Sequence, residues 1–301
     1  SPSQPVCFLE EVMEKLLQTI LELDQPLLIV AIMLVAFLTA CGDSLTTAQV
    51  SDIHLTNEEY AFGVDKTQPE LLEKTNAFIA EIKANGTFEE ICNKYFGDGT
   101  PTAVTSAKED PSKDQLVVAT NAAFEPFEYT DGGNGYLGID MEIAALLAEY
   151  LGKELVIQNM DFDAVCLAVG QQKCDIAMAG LTVKEDRKEY VTFSDSYYSA
   201  SQKLIVLSGD DKFADCKDAA SVEEILNSFD DKVKVGVQNG TTGQFYCEGD
   251  EDWGFTGFKF KTVAYKNGSL AVQDLINGNV DYVIIDSAPA ACITEAINEM
   301  Q

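Results

Sequence analysis

The chain has 301 residues, of which 46% are hydrophobic and 23% charged, a composition that supports a folded core rather than a disordered tail. Fifty acidic residues against twenty basic ones give a formal net charge of −30, which argues against nucleic-acid binding and against charge-driven docking on anionic lipid. His54 is the only histidine, so a metal site built from several histidines is excluded.

An apolar run, Leu27–Ala40, stands near the start of the chain and is followed by Cys41. It is too short for a membrane span, which needs about 20 residues, and suits the apolar region of a secretory signal peptide. Its junction with Cys41 resembles a bacterial lipoprotein box, which predicts a signal over 27–41 and a lipid anchor on that cysteine. Residues 1–26 are acidic where a signal peptide is basic, so residues 1–41 form an atypical N-terminal segment. A core or interface helix is the alternative.

Two helices and a linker are predicted next. The segment Pro69–Phe96 repeats apolar residues at helical spacing, and Asn85-Gly86-Thr87 divides it into two helices. The following residues, 97–114, are rich in Gly, Pro, Ser and Thr, which is typical of a linker.

Short apolar strands and helices alternate from Gln115 onwards. Strands are predicted at 116–120, 155–157, 175–180, 204–207, 234–237 and 282–285, and helices at 138–151, 162–169, 222–229, 270–276 and 289–297. Gly152 is placed to end the first of these helices, and Ser221-Val222-Glu223-Glu224 has the pattern of a capping box. This alternation predicts an α/β fold with parallel sheets and helices on both faces.

Two turns within this region are similar to each other. Gln171–Asp175 and Asn277–Asp281 each join a helix to an apolar strand and end in aspartate. We therefore expect two similar Rossmann-like lobes, with a ligand cleft where the carboxyl ends of their strands face each other.

Seven motifs follow in a fixed order along this region. They are Ala119–Tyr129, Gly138–Ile143, Met160–Asp163, Ala179–Arg187, Phe193–Tyr198, Val235–Gly243 and Asp281–Asp286. Together they resemble the polar amino-acid family of ABC-transporter substrate-binding proteins, also called periplasmic binding proteins. The resemblance implies a type II periplasmic binding protein fold, with two lobes joined by a hinge.

One part of the resemblance is out of order. Leu55–Val64 and the helix pair after it are similar to the usual ending of family members, yet here they precede the rest. The simplest interpretation is a circular permutation, in which residues 97–114 join the family's usual C-terminus to its usual N-terminus. A tandem array cut between two copies is the alternative.

Under the permuted interpretation, each lobe has a defined set of residues. Lobe 1 combines residues 55–96 and 115–202, and lobe 2 contains residues 203–301. The crossovers between the lobes are expected near Ser199–Lys203 and before Leu55.

The resemblance also assigns the groups that bind the two charges of an α-amino acid. Arg187 matches the residue that holds the carboxylate, and a guanidinium can do so with two parallel hydrogen bonds. Asp286 matches the acceptor of the ammonium. Thr182 and the backbone N–H groups near Gly180 are expected at a helix start, a natural anion site. The alternatives are an N-cap role for Thr182 and a surface ion pair of Arg187 with its acidic neighbours.

Further residues are expected around the ligand. Thr241 and Thr242 open a helix of the other lobe, and Phe124 and Phe162 correspond to aromatic walls, whereas Phe127 is expected in the core. Asn121, Gln238, Ala179 and Gly180 are similar to a glutamine-type pocket, which favours a neutral polar side chain. Glu125 or Glu128 would supply a counter-charge, so a cationic ligand such as arginine or lysine stays the alternative.

The combined prediction is an extracytoplasmic binding protein, periplasmic or a cell-surface lipoprotein. It would be a monomer that captures a polar L-amino acid by hinge closure and delivers it to an ABC permease, with no catalytic residue, metal or cofactor. One alternative is a cyclohexadienyl or prephenate-type dehydratase on the same fold, which requires a pocket acid of raised pKa. Another is a ligand-sensing domain.

Overall fold

The computed structural model describes residues 45–301, of which residues 47–301 form one compact unit. The segment 1–41, with the apolar run and Cys41, lies outside the described residues, so the signal and the lipid anchor stay predictions. Within the described part of the chain, no helix has both the length and the apolar character needed to cross a membrane.

Strands and helices alternate along most of the described chain. The strands are β1 Ala48–Val50, β2 Glu58–Asp65, β3 Val104–Thr105, β4 Gln115–Thr120, β5 Ala123–Phe124, β6 Glu128–Thr130, β7 Gly135–Leu137, β8 Glu154–Asn159, β9 Ile176–Ala177, β10 Val191–Ala200, β11 Gln202–Leu207, β12 Lys234–Gln238, β13 Lys261–Tyr265 and β14 Tyr282–Asp286. The helices are α1 Pro69–Ala84, α2 Thr87–Phe96, α3 Ile139–Leu151, α4 Phe162–Gly170, α5 Ala219–Ser228, α6 Thr242–Glu248, α7 Gly268–Ile276 and α8 Ser287–Glu299, with a 3-10 turn over Asp186–Glu189.

Two five-stranded sheets organise these elements. One has the order β10-β2-β9-β4-β8 and the other β1-β11-β14-β12-β13, and we call the parts built on them lobe 1 and lobe 2. A small sheet, β3-β7-β6-β5, accompanies lobe 1. The mixed α/β architecture predicted from the sequence is confirmed.

The prediction of parallel sheets holds for only part of each sheet. In each lobe three strands run parallel, β8-β4-β9 and β13-β12-β14, whereas β2, β10, β1 and β11 pair antiparallel. Parallel neighbours need a crossover connection, usually a helix. The antiparallel strands are those that carry the chain directly from one lobe to the other, without such a helix.

The chain passes between the lobes at two adjacent places, over residues 51–57 and at Ser201. The two crossing segments are bonded to each other: the backbone N–H of Gln202 donates to the Thr56 hydroxyl at 2.8 Å, and the Leu55 N–H donates to the Gln202 carbonyl at 2.9 Å. His54 Nδ1 also contacts the Ser201 hydroxyl. The only histidine of the chain therefore has a structural partner at the crossover.

The two similar turns have the same construction in both lobes. Asp175 Oδ2 accepts from the Val117 N–H at 2.8 Å, and Asp281 Oδ2 accepts from the Lys234 N–H at 2.7 Å. Each aspartate thus fastens its own strand to the neighbouring parallel strand, which explains why the same pattern recurs in the sequence.

Two local predictions differ from the structure. Helix α5 begins at Ala219 with Asp218 as N-cap, and Ser221 occupies the third helical position, where its N–H donates to Asp218 at 2.9 Å. Aspartate and serine both cap helices, so the pattern alone did not place the start. The strand expected over 175–180 is shorter in the structure, where β9 covers Ile176–Ala177, and the chain turns at Gly180 with a φ of 52°.

Helix α3 offers a test of backbone fit, because it has a glycine at each end. Gly138 has a φ of 123°, and a Cβ there would lie 2.1 Å from the Phe127 carbonyl oxygen. Gly152 has a φ of 69° with open space around a Cβ. We expect Gly138→Ala to lower the free energy of unfolding by more than about 3 kcal/mol and Gly152→Ala by about 1 kcal/mol, measured by urea titration. Equal losses in the two variants would contradict the packing around Gly138.

Candidate functional site

Asp286 ends β14 of lobe 2, where the sheet faces lobe 1. Its side chain is buried, and the Tyr60 hydroxyl of lobe 1 donates to its Oδ2. Burial, followed by the negative charge of Glu58, raises the pKa of Asp286 to about 7. The residue assigned to a ligand ammonium is therefore a buried carboxyl at the junction of the lobes.

Glu58 lies beside Asp286 and was missed by the sequence analysis. It is the first residue of β2 and only 1% exposed. Its Oε2 accepts from the Thr182 hydroxyl at 3.0 Å, and its Oε1 accepts from Gln202 Nε2 at 3.0 Å and from the Thr56 hydroxyl at 2.5 Å. An acidic residue at a position that alternation places inward is the signal that would have identified it.

Arg187 lies in the 3-10 turn before β10 and is 9% exposed. Its two terminal nitrogens donate to backbone carbonyls of opposite lobes, Thr182 O at 2.6 Å and Gly240 O at 2.9 Å. The guanidinium carbon lies 5.4 Å from the centre of the Phe162 ring.

The expected alternative for Arg187, a surface ion pair with Glu185 or Asp186, is wrong. Glu185 pairs with Lys188, and Asp186 pairs with Lys184 at 2.9 Å. Within residues 45–301, no carboxylate lies within 4.0 Å of the guanidinium nitrogens. The charge of Arg187 is thus buried without a protein counter-ion in the described chain.

The helix start expected at Thr182 is absent from the structure. The nearest helical residues are those of the later 3-10 turn, and Thr182 instead forms a bridge with Tyr60 while its hydroxyl donates to Glu58. The Gly180 N–H donates to Asp140 Oδ2 at 2.9 Å. The expected helix start and the N-cap alternative for Thr182 are therefore wrong, and Asp140 occupies the Gly180 N–H, whereas a ligand contact of Thr182 stays a prediction.

A second pair of buried carboxyls, Asp140 and Glu128, lies next to the segment that contains Gly180. Asp140 accepts from Gly180 and from the Tyr197 hydroxyl at 2.7 Å, and burial raises its pKa to about 7. Glu128 is fully buried, and burial together with the charges of Asp140 and Asp286 raises its pKa well above the usual value. Glu125 is exposed, and the loss of solvation around its carboxyl together with the charge of Glu295 raises its pKa.

Asn121 and Gln238 meet across the cleft. Gln238 Nε2 donates to Asn121 Oδ1 at 3.3 Å, and Asn121 Nδ2 donates to the Met160 carbonyl at 2.7 Å. Gln238 is 1% exposed, and its Oε1 has no hydrogen-bond partner among the described residues. The structure thus brings together two residues that are 117 positions apart in the sequence.

The remaining predicted site residues divide between the cleft and the core. Thr241 stands at the N-cap position of α6, but its hydroxyl donates to the Gln238 carbonyl at 2.8 Å instead of capping the helix, and Thr242 is the buried first residue of that helix. Phe124 is buried against Gly180, where a Cβ would lie 2.9 Å from its ring. Ala179 is fully buried in a hydrophobic cluster of lobe 1.

Other side chains join the lobes near the mouth of the cleft. Lys184 of lobe 1 is 5% exposed, contacts Asp250 of lobe 2 at 3.0 Å and lies 4.8 Å from the centre of the Phe245 ring. Asn239 Nδ2 donates to Asp163 Oδ2 at 2.9 Å. A cavity of about 300 Å³ opens beside Arg187, Phe162 and Phe245.

Similarity to known proteins agrees with this geometry. Residues 116–281, more than half of the chain, match the bacterial extracellular solute-binding proteins, family 3. The arginine-binding extracellular protein ArtP of Bacillus subtilis (strain 168) is 29% identical over 205 residues, which are 67% of this chain and 72% of that protein.

Two solved structures are similar in fold. An ancestral arginine-binding protein bound to arginine has a TM-score of 0.51 and 33% identity, over 61% of this chain and 75% of that one. The ancestral amino acid-binding protein AncCDT-1, described as a precursor of cyclohexadienyl dehydratase, has a TM-score of 0.51 and 31% identity over the same shares. These neighbours have the type II periplasmic binding protein fold, as this chain does, and the chain belongs to the bacterial extracellular solute-binding proteins, family 3.

Proposed function

We propose that this protein binds a free amino acid with a cationic side chain between its lobes and delivers it to an ABC permease. One observation carries the proposal: Arg187 of lobe 1 and Asp286 of lobe 2 are both buried, and no residue in 45–301 forms an ion pair with either. A buried charge requires a partner of opposite sign. The carboxylate and ammonium of an amino acid supply both partners.

The balance of charge favours a cationic ligand over the glutamine-like one favoured by the sequence. Glu58 and Asp286 bring two carboxyl groups to the site, whereas Arg187 brings one positive charge. A zwitterion leaves this balance negative, and an amino acid with an additional positive charge neutralises it. Proteins named as arginine-binding among the relatives and structural neighbours support the same choice.

Capture by closure of the lobes follows from the contacts that join them. Arg187, Lys184 and Gln238 each reach from one lobe to the other, so binding and closure are expected to stabilise each other. Delivery to a permease, an anchor at Cys41 and a monomeric state are parts of the same proposal.

We also propose that the segment order is a circular permutation. Residues 45–96 supply β1 to the sheet of lobe 2 and β2 to the sheet of lobe 1, while the family match begins only at residue 116. A rearranged chain that places residues 45–96 after residues 115–301 is expected to fold and bind the same ligand.

Calorimetry against the twenty amino acids, after removal of co-purified ligand, tests the function. We expect L-arginine, L-lysine or L-histidine to bind most tightly, and Arg187→Ala to cost at least about 2 kcal/mol because it leaves the ligand carboxylate unpaired. Lys188→Ala, one residue away and exposed, is the control that keeps full affinity. Failure of every amino acid to bind, or product formation from prephenate, would overturn the proposal.

The raised pKa of Asp286 predicts that the free energy of unfolding of the ligand-free protein depends on pH. Between about pH 4 and 7 the folded state holds a proton on Asp286 that the unfolded chain has lost, so this residue makes stability fall as pH rises. We expect Asp286→Asn to be more stable than the unmodified protein by about 4 kcal/mol near pH 8 and nearly equal near pH 4. Urea unfolding of the ligand-free proteins at each pH measures the difference, and a constant difference would contradict it.

Lys184 is expected to slow ligand release. Lys184→Met removes the ion pair with Asp250 across the lobes, and we expect release to accelerate by about tenfold in stopped-flow measurements. Lys188→Met is the matched control, because within residues 45–301 the ion pair of Lys188 is with Glu185, three residues before it. Equal release rates for the two variants would contradict this role.

A further inference from the structure

Glu58 occupies the point where the two crossing segments meet the binding site. It follows the first crossing segment directly, and Gln202, which follows the second, donates to it at 3.0 Å. Thr56 completes the connection, since its hydroxyl donates to Glu58 and accepts from the Gln202 N–H at 2.8 Å. A carboxylate that is 1% exposed therefore joins both connections between the lobes.

The hydrogen bond from Thr182 to Glu58 determines whether the Thr182 hydroxyl can donate to a ligand or accept from it. A hydroxyl has one proton to donate, and Thr182 gives it to Glu58 Oε2 at 3.0 Å. The lone pairs of the hydroxyl are then left as acceptors, which is the capacity that an ammonium requires. Glu58 thus determines that Thr182 accepts rather than donates.

The charge of Glu58 also acts on Asp286. Gln202 and Asp286 are partners in the register of β11 and β14, so the two carboxyl groups lie on either side of one glutamine. Within residues 45–301, the titratable groups that face Asp286 are the carboxyls of Glu58 and Glu128 and the phenols of Tyr60 and Tyr198. None of these four groups carries a positive charge. An ammonium that approaches Asp286 therefore meets no cation among these titratable groups.

We propose that Glu58 is a positioning residue for the α-ammonium of the ligand, holding Thr182 as an acceptor and adding a second negative charge beside Asp286 at the hinge. The inference rests on the proposed function. It assigns to the crossing segments a direct part in recognition, because the group that attracts the ammonium is also the group that ties the two crossings together.

The test is the pH profile of L-arginine binding to Glu58→Gln, measured by calorimetry. We expect affinity to fall by about tenfold near pH 8, because the variant keeps the shape of the side chain and loses its charge. Removal of that charge lowers the pKa of Asp286, so the pH below which binding weakens is expected to move downwards by about one unit. The loss of affinity is therefore smaller near pH 6 than near pH 8.

Two variants complete the test. Glu59→Gln removes the charge of the exposed neighbour on the same strand and is expected to bind as the unmodified protein does. Glu58→Asp keeps the charge and should keep the pH midpoint even where Glu58→Gln is unstable. Unchanged affinity in Glu58→Gln, or a loss with an unmoved midpoint, would overturn the inference alone. Absence of binding to the unmodified protein would overturn the proposed function first.

Discussion

Two carboxyl groups are buried where the two lobes meet, and this burial governs the contacts around them. Glu58 and Asp286 belong to different sheets, both are almost fully buried, and within residues 45–301 no lysine or arginine pairs with either. Such groups are costly unless hydrogen bonds satisfy them. The Tyr60 hydroxyl of lobe 1 donates to Asp286 of lobe 2, and the Gln202 amide of lobe 2 donates to Glu58 of lobe 1. Each carboxyl is therefore fully satisfied only when the two lobes are joined.

On the positive side of the cleft, hydrogen bonds from both lobes likewise hold the charged group. Arg187 is held by two backbone carbonyls, one from each lobe, which orient the guanidinium without neutralising it. Asp140, behind the cleft, takes the Gly180 N–H and so determines the path of the chain towards Thr182. The protein thus keeps one cation and two carboxyls buried and separate, an arrangement suited to a ligand that carries both signs of charge.

Much of the fold was predictable because its signals are local. Apolar periodicity located the helices on either side of Gly86, and the recurring turn at Asp175 and Asp281 indicated a repeated unit. Strand direction was not predictable in the same way. Whether β2 runs parallel or antiparallel to β9 depends on how the chain returns from the other lobe, and that information is absent from the strand's own residues.

The order of the elements, the family motifs and the residues of opposite charge, Arg187 and Asp286, are readable from the sequence, because each lies within a short recognisable pattern. Their hydrogen-bond partners are not, because they depend on how the lobes pack. Thr182 is a capping residue by its local pattern, yet its hydroxyl belongs to Glu58, 124 positions away, and Asp286 meets Tyr60 across 226 positions. Contacts of that separation are made by the packing of two lobes, and no local pattern encodes which buried group a hydroxyl will find.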